Sequence, residues 1–109
     1  MRLASDRRQC SRFRSALAVT DGRRDVRTIT RDISASGLFV CDLSYSMGDR
    51  VSVAIHFPDS SVPMQVAGDV VRVERGLGVA LRLIHAGEAQ QTYFSGRVVR
   101  LAWAKTEPA

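Results

Sequence analysis

Apolar and polar positions alternate over short stretches for most of this chain, and the period lengthens only near the C-terminus. The clearest stretch is 50–57, where Val51, Val53, Ile55 and Phe57 alternate with Arg50, Ser52, Ala54 and His56, as a half-buried strand requires. Val26, Thr28 and Thr30 share one face and Arg27, Ile29 and Arg31 the other, which predicts a strand running through Ile33. An earlier strand is expected over Phe13 to Thr20, although Ala16, Leu17, Ala18 and Val19 alternate poorly. Asp21-Gly22 between these two is a tight-turn signal. Ser34 to Gly37 reads as a turn, and Leu38 to Cys41 as a short buried strand. Met47-Gly48-Asp49 and Pro58 to Ser61 break the chain on either side of the 50–57 strand. Pro63 opens another strand through Met64, Val66, Gly68 and Val70. Its parity then changes at Val70, Val71 and Val73, which predicts a bulge or bend beside Gly68. Arg75-Gly76 turns the chain into a last strand with Leu77, Val79, Leu81 and Leu83 on one face.

From Glu88 the pattern is helical. Phe94, Val98 and Leu101 fall at i, i+4 and i+7 and share a face, with Tyr93 and Ala102 widening the stripe. Gly96 interrupts it at a cost of about 1 kcal/mol against Ala. Six short strands at regular spacing predict a mainly β fold, a closed or nearly closed antiparallel barrel, because closure removes the exposed edges of so small a sheet. The helix is expected to cover one open end. Residues 1–12 are polar and basic with no apolar period, and read as a flexible arm; 13–103 form the domain and 104–109 a tail.

Composition sharpens this picture through charge. The chain has 109 residues and a formal charge of +5. Residues 1–31 carry nine Arg and three Asp, a net +6, while the remainder carries −1. All the net positive charge is thus at one end, and the basic residues are nearly all Arg, whose planar fork grips phosphates and guanine edges. An anionic partner follows. No apolar run is long enough to cross a bilayer. Arg7-Arg8 is not followed by the apolar segment of an export signal, so a cytoplasmic, monomeric protein with no membrane contact is expected. Cys10 and Cys41 form no C-x-x-C pair and read as reduced thiols; no metal site is expected. His56 and His85 are isolated, and no nucleophile, P-loop or metalloprotease pattern occurs, which predicts no catalysis and no cofactor. Gly76-Leu77-Gly78 reads as a turn followed by close backbone packing.

Two segments carry candidate chemistry. One is Arg7-Arg8-Gln9-Cys10-Ser11-Arg12 on the arm, containing R-x-x-x-R. The other is Asp32-Ile33-Ser34-Ala35-Ser36-Gly37, a D-x-S-x-x-G run where a strand enters a turn. Strand geometry sends Asp32 and Ser34 to one face and Ile33 into the core, while Gly37 offers a left-handed or crowded backbone position. Guanine suits this set. Its O6 and N7 acceptors match an Arg fork, and its N–H donors match a carboxylate such as Asp32. Ser34 can donate or accept, and further Arg groups can pair with phosphate. Arg23/Arg27 and Arg27/Arg31 repeat the R-x-x-x-R spacing inside a strand and read as surface residues.

In order and spacing, Arg8 and Arg12 followed by Asp32, Ser34 and Gly37 resemble the PilZ family of cyclic di-GMP receptors, and Gly78 to Leu81 is similar to the family's last strand. The resemblance extends over roughly residues 6–103. It implies a six-stranded barrel followed by a helix. Arg8 and Arg12 would hold guanine edges and phosphates, Asp32 and Ser34 a guanine from the barrel surface, and Gly37 the turn. Arg7 is implied to favour two stacked, intercalated ligand molecules over one. Ligand would draw the arm onto the barrel, and the new surface would signal to a protein effector in trans. The alternatives are a PilZ-fold interaction domain without ligand and a small-barrel nucleic-acid binder. The latter is disfavoured by an aromatic content of 6% and the lack of an aromatic row for base stacking.

Overall fold

The computed structural model describes residues 13–23 and 26–106. Among the described residues, seven strands and one helix follow in chain order. The strands are β1 (Phe13–Arg14), β2 (Ala18–Asp21), β3 (Val26–Ile33), β4 (Gly37–Cys41), β5 (Arg50–His56), β6 (Met64–Glu74) and β7 (Gly78–Ile84), and the helix α1 is Glu88–Thr106. Every pairing is antiparallel. β3 pairs with β2 on one edge and β4 on the other, and the remaining neighbours run β2-β5-β6-β7-β4. The ring therefore closes as a six-stranded barrel, with β1 and β2 together forming one interrupted strand against β3. The flexible arm expected over 1–12 lies outside the described residues, and α1 runs past the boundary expected at 103.

The poor alternation at Ala16 to Val19 comes from alanines on the outer face: Leu17 and Val19 are buried while Ala16 and Ala18 are exposed. Residues 15–17 leave the ladder, and the hydroxyl of Thr30, 1% exposed, fills the break. It accepts from the Leu17 N–H at 2.9 Å and donates to the Ser15 carbonyl, while the Thr30 N–H reaches the Leu17 carbonyl at 2.9 Å. The Asp21-Gly22 signal marks a real turn, but not a two-residue one: Asp21 pairs with Val26. The buried Asp21 carboxylate accepts from the Arg23 N–H at 3.1 Å and from the Tyr45 hydroxyl, anchoring the 42–49 loop to this hairpin.

The core follows the alternation. Val19, Ile33, Leu38, Val40, Ile55 and Val79 are fully buried inside the ring. Gly78 is required by close approach: at φ +151° it faces Cys41, and an added Cβ would lie 2.1 Å from the Val40 carbonyl oxygen. This is the tight packing expected of Gly76-Leu77-Gly78, with Gly76 supplying the turn at φ +78°. The bulge in β6 falls at Val71, between the Val70–Leu81 and Arg72–Ala80 pairs, a little beyond Gly68. It leaves Val71 and Val73 on the surface, which accounts for the change of parity.

The helix packs Phe94 and Val98 into the core, with Phe94 edge-on to Phe57 at 6.2 Å. Its contacts lie where β5 ends, β6 begins and β7 ends. Arg97 pairs with Asp59 at 2.8 Å, Gln90 donates to the Gln65 carbonyl, and His85 packs against Phe94 at 5.4 Å. The helix thus covers one end of the barrel, as its apolar stripe requires. His85 is more enclosed than a loop histidine need be, with both ring nitrogens buried and without a hydrogen-bond partner. His56 sits on the strand surface beside the Thr20 hydroxyl at 3.3 Å.

Candidate functional site

The D-x-S-x-x-G segment forms the β3–β4 connection at the helix-covered end of the barrel. β3 carries a second bulge, between the Thr30–Val40 and Asp32–Phe39 pairs. The extra residue is Arg31. Without it, strict alternation would leave one of residues 31 and 32 on the core side. With it, both lie on the outer wall and are partly exposed, while Thr30 before them and Ile33 after them are buried.

Ser34 does not share that face. β3 ends at Ile33, so strand parity no longer applies, and Ser34 is 1% exposed. Its hydroxyl is engaged within the turn. It accepts from the Gly37 N–H at 3.2 Å and the Ser36 N–H at 3.3 Å, and lies 3.3 Å from the Gly37 carbonyl. The Ser34 N–H also reaches the Gly37 carbonyl at 2.8 Å, and the Ser36 carbonyl accepts from Leu83 in β7 at 2.9 Å. These bonds make a rigid turn of the kind serine side chains build. Gly37 opens β4 opposite Arg82, is buried and is not among the glycines with positive φ, so of the left-handed or crowded position expected of it the left-handed one is not adopted.

β1, which follows the arm in the sequence, lies beside this turn. Phe13 pairs with Ile33 and Arg14 with Asp32. Arg12 immediately precedes Phe13 in the sequence, and Phe13 is fixed opposite Ile33, the neighbour of Asp32. Arg8 lies five residues before Phe13, within a reach of at most about 18 Å. Arg7, Arg8 and Arg12 themselves lie outside the described residues. The cleft of about 500 Å³ lined by Asp21, Tyr45, Arg50 and Gln65 does not include Asp32 or Ser34.

The outer wall beside Asp32 holds residues that the motifs do not include. Phe39, opposite Asp32, points outward yet is fully buried, because Arg31 lies across it with its guanidinium carbon 3.7 Å from the ring centre. Arg72 flanks the same ring at 5.8 Å. Arg31 donates through Nε to Asp32 at 3.2 Å and through Nη1 and Nη2 to Glu74 at 3.1 and 3.4 Å. The hydrogen bond from Arg31 holds the Glu74 carboxyl below the usual glutamate range. The sequence did carry one sign of this cluster: Leu38, Phe39 and Val40 are consecutive apolar residues in an alternating barrel, so one of them had to be buried outside the core. Among the described residues, no group of three or more His, Cys, Asp or Glu could hold a metal ion, and no helix is long and apolar enough to cross a membrane.

The barrel matches solved structures in fold. The structure of the Bacillus subtilis inhibitor of motility (MotI/DgrA) superposes with a TM-score of 0.69 at 23% identity, covering 91% of this chain and 52% of that one. This chain thus spans about half the length of that protein. The PilZ domain of CeSA from a cellulose-synthesizing bacterium superposes with a TM-score of 0.57 at 16% identity, covering 88% of this chain and 98% of that one. At these identities the likeness is one of fold. No curated protein matches the chain at significance. The PilZ domain family model matches residues 6–94, which takes in both motifs, the whole ring of strands and the start of the helix, and the chain belongs to the PilZ domain family.

Proposed function

We propose that the chain is a cyclic di-GMP receptor without catalytic activity. The observation that carries this reading is the register of β1, which ties the segment bearing Arg8 and Arg12 to the strand position opposite Asp32. Guanine needs a fork for O6 and N7 and an acceptor for its N–H groups. Arg8 and Arg12 supply the fork and pair with phosphate. Asp32 supplies the acceptor from the barrel wall. Ser34 and Gly37 serve the same contact by bracing the turn beside it. Arg7 adds a cation that favours an intercalated pair of ligand molecules. Binding orders the arm on the barrel, and the combined surface of arm and nucleotide signals to a protein effector in trans. Family membership supports a binding or adaptor role over an enzymatic one.

Calorimetric titration with cyclic di-GMP tests this, using the wild type and Arg8→Ala/Arg12→Ala, with GMP and single-stranded DNA as controls. Each lost bidentate contact costs about 1–3 kcal/mol. The double variant should therefore bind roughly thirty-fold to ten-thousand-fold more weakly while melting like the wild type. An absence of heat from folded wild-type protein leaves a PilZ barrel that works through protein contacts alone.

A further inference from the structure

We infer that Arg31 is a stacking platform on which a purine base of the ligand lies, a contact separate from the R-x-x-x-R and D-x-S-x-x-G motifs. The inference deepens the proposed receptor function and rests on it. Three of the five N–H donors of the Arg31 guanidinium are engaged, the one on Nε with Asp32 and one on each Nη with Glu74. One face is closed by Phe39 at 3.7 Å. The side chain is nonetheless 36% exposed. A guanidinium with committed edges no longer presents a fork to a phosphate. A flat cation can still take a flat π system against its face, and a purine is that partner.

The platform is also built rather than incidental. The bulge at Arg31 turns its side chain to the outer wall beside Asp32. Glu74 is held from its other side by Arg72 at 3.0 Å, so the acceptor that orients Arg31 is itself fixed. A pre-oriented surface loses little side-chain freedom when a base settles on it.

Titration of wild type, Arg31→Gln and Arg31→Lys with cyclic di-GMP tests the inference. Lysine keeps the charge and loses the plane. Stacking predicts that both variants bind about tenfold more weakly. It also predicts that ligand shifts the wild-type Arg31 Nε–H resonance upfield, a readout independent of any substitution. A lysine variant with wild-type affinity, or an unmoved Arg31 resonance in saturated protein, overturns the platform and leaves the receptor reading intact. Failure of the wild type to bind cyclic di-GMP overturns both.

Discussion

Thr30 is the residue on which the broken strand depends. Its buried hydroxyl serves the Leu17 N–H and the Ser15 carbonyl, two backbone groups that lack a ladder partner. Thr30→Val keeps the shape and removes both bonds. A buried backbone group left unsatisfied costs about 1–3 kcal/mol. The substitution should therefore lower stability by about 2–3 kcal/mol, read in thermal melting as a fall of roughly 10 °C or more for a domain of this size. A melting point within a degree of the wild type would mean that water replaces the hydroxyl. In sequence, Thr30 was legible as sharing a strand face with Val26 and Thr28 but not as a bridge, because its partners lie outside the ladder and only the folded register brings them together. Asp32 was legible through its motif. Arg31 was not: its spacing to Arg27 marked it as a surface residue, and its engagement with Phe39 and Glu74 depends on a bulge that alternation alone did not reveal in β3.

At the scale of elements, alternation located each strand of the ring and the change of period located the helix. What escaped was where an element departs from its own period. β6 showed its bulge because Val70, Val71 and Val73 are apolar on both parities. β3 hid its bulge because Arg31 and Asp32 are both polar, so a second outward residue left no mark on the pattern. Ser34 misled in the same way, since the rule for strands was carried one residue past the strand's end. The helix offers a direct test of intrinsic propensity. Gly96 is exposed within α1, and a Cβ built there meets no atom within 4 Å. Gly96→Ala should stabilise the protein by about 1 kcal/mol. Chemical denaturation should show a higher midpoint with an unchanged slope. A lower midpoint would mean that the helix does not continue unbroken through this position in solution.

For the whole molecule, the decisive feature is that the sheet meets itself. β3 joins β2 and β4 through neighbouring stretches of chain, but the ring is completed only by β2 with β5 and β4 with β7. Those two seams pair Ala18 with His56 and Gly37 with Arg82, residues far apart along the chain. Large intervening segments must therefore lose their freedom before either seam returns any energy. The consequence is kinetic. Refolding should be slow for so small a protein, in the range of milliseconds to seconds typical of barrels dominated by distant pairings, and stopped-flow dilution from denaturant would measure it. A microsecond phase carrying the full amplitude would contradict this. A newly made chain would then spend its vulnerable interval with the edges of β2, β4, β5 and β7 still unmatched, and the closure that later protects them is also what delays their protection.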